Sequence, residues 1–178
     1  MRTLFILSII MTISNLSFSQ LKGNGSDWLN KSLADSINNA IKIQVNKELT
    51  SYKKSSDREL GFIKDTLEIE LYLDAAEQAV KYSDISTMRL IYEALDKYDA
   101  LLNKYYNELL SNAISKKTLI ETQRAWITFR DKEIDYYSYE IAGNENLSNL
   151  GTLDRVAIAS FSLRLTKDRT IEIFRGIK

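Results

Sequence analysis

The sequence predicts an all-α fold, a small bundle of four to five antiparallel amphipathic helices, on three observations. Its 178 residues include no proline and only six glycines, and residues 62–142 contain no glycine at all. Hydrophobic residues make up 44% of the chain and charged ones 27%, a balance suited to long two-faced helices. Apolar side chains also recur at steps of three and four over most of the length, the repeat that lines them along one helix face.

Residues 1–19 read as a signal peptide. Arg2 precedes the apolar run LFILSIIMTI, and the small residues Ser17 and Ser19 stand just before Gln20. That run is about ten residues, half of the ~20 that a membrane-spanning helix needs, and no later stretch is continuously apolar. The mature chain is therefore expected to be periplasmic or secreted, with no transmembrane helix and no cysteine to carry a lipid. About 160 residues remain, the size of one domain.

Residues 20–62 are expected to hold an N-terminal helix and a linker, and residues 63–178 the main helical domain. Over 27–50, Leu29, Leu33, Ile37, Ile41, Val45 and Leu49 recur every four residues behind a possible Asp27 cap. The polar run SYKKSSDREL at 51–60 reads as a solvated linker. Over 64–82, Ile69, Leu73, Ala76 and Val80 share a face with acids opposite, and SDIS at 83–86 supplies a break and a new cap.

From Thr87 to Leu110, the series Ile91, Leu95, Tyr98, Leu102, Tyr105, Leu109 alternates steps of four and three, a seam that packs on a partner helix. SNAIS at 111–115 is either a loop or a bend in a continuous helix, since it lacks glycine and proline. Lys116 to Ile141 forms the next helix, with Ile120, Ile127, Ile134 and Ile141 seven apart and Gly143 placed for a left-handed cap. Its length matches the preceding helix, which favours an antiparallel pair. A last helix covers Leu153 to Phe174, with Ile158, Phe161 and Leu165 on one face.

Composition narrows the function. The chain has no cysteine and no histidine, which removes disulfides, thiolate metal sites and the commonest general base. Its 24 basic and 24 acidic residues leave no basic surplus for nucleic acid. No nucleophile motif, metal site or cofactor motif is present, so the chain is expected not to be an enzyme. Asp131, Glu133 and Asp135 cluster in DKEID, but residues two apart on a helix diverge, and no calcium-type loop surrounds them; they read as a solvated face.

Polar residues nevertheless recur beside the apolar faces. Asp99, Asn103, Tyr106 and Leu110 form one stripe, and Gln123, Trp126, Arg130 and Tyr137 another. If the stripes face each other, the Arg130 guanidinium pairs with Asp99 or Asp131 while Trp126 packs beneath it, fixing helix register or serving a partner. The ten tyrosines either cap the rim of the bundle or anchor an interface. Residues 66–110 carry nine acids and four bases, whereas residues 154–178 carry six bases and three acids. These helices either attract one another or present an acidic face that steers a basic partner.

The segments YDALLNKYYNELL, LIETQRAWITFRDKE and SLRLTKDRTIEI resemble the domain of LprI-type lysozyme inhibitors of bacterial envelopes. The pattern falls on Asp99, Leu102, Asn103, Tyr106 and Leu109; on Gln123, Trp126, Phe129, Arg130 and Asp131; and on Leu165, Thr166, Arg169 and Thr170, within about 66–175. Members of that family usually carry two cysteines, whose positions are held here by Ile134 and Phe161, so an apolar contact would stand in for a disulfide. The resemblance implies export and binding of lysozyme, or another basic cell-wall hydrolase, without catalysis. A structural or protein-interaction module of the envelope, with no inhibition, is the competing expectation.

Overall fold

The computed structural model describes residues 31–52, 55–79, 84–143 and 147–176. Among them are five α-helices and no strand: α1 (Lys31–Leu49), α2 (Asp57–Ala79), α3 (Asp84–Asn112), α4 (Lys116–Ala142) and α5 (Thr152–Gly176). A 3-10 turn at Leu147–Asn149 leads into α5. The protein is thus all-α, as the helix-permissive composition predicts. The expected signal peptide, Asp27 and Leu29 lie outside the described residues, as does Val80. The chain divides into two compact units, one up to Ser86 and one from Thr87 on.

In the first unit, α1 and α2 pack around Ile37, Ile41, Val45 and Ala75, with Leu67, Leu71 and Tyr72 closing the cluster. The four-residue repeat over Ile37, Ile41, Val45 and Leu49 is therefore the packed face of α1. The connection is shorter than the sequence predicts, because α2 begins at Asp57 instead of near residue 64. Its start is a reciprocal cap: the Ser56 backbone N–H and hydroxyl donate to Glu59 Oε2 at 2.8 and 3.1 Å, and the Glu59 N–H donates to Ser56 Oγ at 3.3 Å. These bonds, the backbone one foremost, hold the Glu59 carboxyl below the usual carboxylate range.

In the second unit, α3 runs up, α4 down and α5 up. Thr170 of α5 donates its hydroxyl to the Tyr98 carbonyl at 3.4 Å, and Tyr105 meets Phe174 edge-on with centroids 5.4 Å apart, so α3 and α5 run parallel. Leu90, Ala94, Tyr98, Leu102 and Tyr105 are the buried stripe of α3. Ile91 and Leu95 are only half-buried, so the first half of the expected seam is displaced by one residue. The buried residues follow the pitch of a straight helix, which drifts from a strict seven-residue repeat. Burying each large apolar side chain contributes about 1.5–3 kcal/mol, against roughly 0–1 for an exposed ion pair, so packing holds this unit together.

The break between α3 and α4 is a loop, and Ser115 caps α4 by accepting from the Thr118 N–H. Gly143 ends α4 in the left-handed region at φ 67°, its N–H donating to the Glu140 carbonyl. The isoleucine row of α4 is not its core: Ile127 is exposed, Ile120, Ile134 and Ile141 are half-buried, and the buried residues are Gln123 and Ser138. On α5 the buried set is Ala159, Thr166, Thr170 and Ile173, not the expected Ile158, Phe161 and Leu165. Thr166 and Thr170 satisfy their hydroxyls on the carbonyls of Ser162 and Thr166, at 3.1 and 2.8 Å, so small polar side chains can sit in the core without stranding a donor.

Candidate functional site

The polar residues of α4 converge on α5 at Trp126. Gln123, Trp126 and Arg130 lie at steps of three and four, which puts them on one face of α4. From α5, Arg169 reaches this face: its Nε and Nη2 both donate to Gln123 Oε1, at 3.1 and 3.0 Å, and its Nη1 donates to Glu172 Oε2 at 3.1 Å. The Arg169 side chain is only 13% exposed. Two guanidinium centres lie over the Trp126 ring, Arg130 at 5.3 Å and Arg169 at 5.5 Å from its centroid. Such cation–ring contacts are worth ~0.5–2 kcal/mol each, more where water is excluded.

Arg130 extends from this cluster into a groove on the same unit. Its Nε and Nη2 donate to Asp131 Oδ1 at 3.0 and 2.8 Å, while Nη1 stands 4.0 Å from Asp99 Oδ1. Asn103 donates to the other Asp99 oxygen at 3.2 Å. The groove encloses about 290 Å³ between Asp96 and Asp99 of α3, Arg130, Asp131 and Ile134 of α4, and Ser162 of α5. Two carboxylates, those of Asp99 and Asp131, thus flank one guanidinium, and Asp96 adds a third acid to the groove lining, whose formal charge is negative. Among the described residues no three acidic side chains gather to hold a metal ion.

The structure brings Asp99, Asn103, Gln123, Trp126, Arg130, Asp131 and Arg169 into this connected set, with Ile134 on the groove wall. Leu102 and Thr166 are buried in the core, and Tyr106 is half-buried farther along α3; none of the three lines the groove. Phe161 stacks on Tyr137, one turn along from Ile134, with centroids 4.5 Å apart and planes at 26°. The bond from Arg169 to Gln123 and the buried Tyr98 backbone contact escape sequence reasoning. The first joins residues 46 positions apart, and no local spacing announces it.

Among the described residues no helix is long and apolar enough to cross a membrane. No curated protein and no solved structure matches the chain. A family model described as lysozyme inhibitor LprI matches residues 75–173, more than half of the sequence and the whole of the cluster around Trp126. The chain belongs to the LprI lysozyme inhibitor family.

Proposed function

We propose that this protein is exported to the cell envelope, where it binds a basic lysozyme-like cell-wall hydrolase and inhibits it by contact, without catalysis. The observation that carries this reading is the family match over residues 75–173, which spans the acid-lined groove. Residues 1–19 act as its signal peptide. The acidic surplus of residues 66–110 draws a basic enzyme in, and the rigid cluster of Gln123, Trp126 and Arg169 holds the groove in shape.

Purified residues 20–178, titrated against basic lysozymes of the c, g and i types in a cell-wall lysis assay, should inhibit at least one of them. Inhibition should weaken as salt rises, since the Debye length shortens from about 10 Å at 0.1 M to about 3 Å at 1 M. A second reading draws on the internal use of the motif residues: Arg169 and Gln123 satisfy one another, as expected of a structural module of the envelope. No inhibition of any type at micromolar protein would select that reading.

A further inference from the structure

The groove between α3, α4 and α5 combines unspent acceptors with apolar walls. Asp96 and Asp99, three residues apart, line it from α3, and Asp131 lines it from α4. Arg130 is the basic residue among the lining side chains, so the lining carries two more acids than bases. Its guanidinium donates twice to Asp131 Oδ1, and Asn103 donates to Asp99 Oδ2. The Arg130 Nη1 stands 4.0 Å from Asp99 Oδ1, too far for a hydrogen bond. Both oxygens of Asp96, Asp99 Oδ1 and Asp131 Oδ2 therefore accept no hydrogen bond from the described residues.

The surroundings of these oxygens select what they can receive. Leu95 and Ile134, both half-buried, also line the groove, so a methylene stem can lie against them while its charged end reaches the carboxylates. The acids do not close around a point, since among the described residues no three acidic side chains gather to hold a metal ion. Arg130 is held inward, its side chain 23% exposed and its guanidinium 5.3 Å from the Trp126 centroid, whereas the side chains of Asp99 and Asp131 are 51% and 57% exposed. The accessible charge of the groove is thus acidic, and Asp96, also exposed, is an acid that no described residue engages. A long basic side chain, apolar along its stem and cationic at its tip, complements both features.

We propose that this groove is a socket for one lysine or arginine side chain of the lysozyme-type hydrolase, and that Asp96 pairs with its cationic tip. Asp99 and Asp131 add charge from α3 and α4, and Arg130 holds Asp131 in place. The socket rests on the inhibitor reading above and names its central contact. Capture of one basic side chain differs from long-range steering, because a close charge pair slows dissociation whereas a distant charge acts on association.

The test uses residues 20–178 and whichever basic c-, g- or i-type lysozyme the wild type binds most tightly, with affinity and rates measured by surface biosensing. Asp96→Asn should weaken binding about tenfold, chiefly by faster dissociation, because it truncates one partner of a close charge pair. Asp96→Lys should weaken it at least ~30-fold, since the introduced ammonium would engage Asp99 and Asp131 in the enzyme's place. Asp96 is exposed and engaged by no described residue, so the circular dichroism melts of both variants should stay near that of the wild type. Glu140→Gln removes the same charge from an exposed position on α4 outside the groove, so it should leave dissociation unchanged and slow association by less than about twofold. Asp96 variants that bind within about threefold of the wild type, or that lose affinity only through slower association, would overturn the socket and leave the inhibitor reading intact. So would light scattering that shows a wild-type dimer dissolved by Asp96→Lys with lysozyme binding unaltered, which would seat a second copy in the groove. Absence of wild-type binding to all three lysozyme types would overturn the inhibitor reading and the socket with it.

Discussion

Arg169 and Thr166 show how single residues in the motif segments earn their positions. Gln123 is buried and its side-chain oxygen accepts two N–H groups from Arg169. Arg169→Ala should strand that oxygen and cost about 1–3 kcal/mol in urea unfolding. Arg169→Lys should recover less than half of the loss, because an ammonium lacks the planar fork that donates twice to one acceptor. Equal stability of wild type and Arg169→Ala would place the interaction outside the folded core. Thr166 separates size from polarity. Its hydroxyl is satisfied within its own helix, so Thr166→Val should change stability by less than about 1 kcal/mol, whereas Thr166→Leu should cost about 1–3 kcal/mol by overpacking. A tolerated leucine with a damaging valine would reverse that account.

At the scale of the element, the caps make the most direct predictions. A Cβ added at Gly143 would meet no atom within 4 Å, so the cost of Gly143→Ala, about 1 kcal/mol, should be entirely that of a left-handed backbone. The cap of α2 is pH-dependent. Because folding lowers the pKa of Glu59, its contribution is complete above the ordinary carboxylate pKa and is lost as pH falls through the lowered folded value. The melting-temperature advantage of wild type over Glu59→Gln should therefore be present at neutral pH and shrink as pH falls below the ordinary carboxylate range; an advantage unchanged on acidification would remove the carboxylate from the cap. Local chemistry of this kind is legible in sequence: α4 was expected to run from Lys116 to Ile141 and ends one residue later, at Ala142, before the expected glycine. The start of α2 is also written locally, in Ser56-x-x-Glu59, yet it hides in a polar run, and residue 63, the expected domain start, falls inside that helix. Burial was less legible because neighbours set it. The isoleucine row of α4 stays half-buried or exposed, while Gln123 of α4 and Thr166 and Thr170 of α5 are buried, Gln123 against Arg169 and Thr170 against the Tyr98 backbone. For the site, the stripe of Gln123, Trp126 and Arg130 could be read from its spacing, while the arrival of Arg169 from another helix could not.

For the whole molecule, the division at Ser86 and Thr87 separates two kinds of sequence. The first unit buries the apolar repeat of α1 against α2, and the family model touches only the end of it, starting at residue 75. The second holds the Trp126 cluster and the groove. Its helices also contribute buried apolar residues of their own, including Tyr98, Leu102, Tyr105 and Ile173. A chain of residues 84–178 is well above the ~40 residues below which a domain usually needs disulfides or metals, so it should fold alone. It is expected to show a helical circular dichroism spectrum and a cooperative melt. If the inhibitor reading holds and the groove carries it, residues 84–178 should also bind the lysozyme with affinity within about threefold of residues 20–178, since a few contact residues, not total size, set affinity. A cooperative melt with binding lost would assign part of the binding contact to the first unit. A broad, non-cooperative melt would instead make α3, α4 and α5 dependent on that unit for their packing, and the separation at Thr87 would then be one of contacts without autonomy.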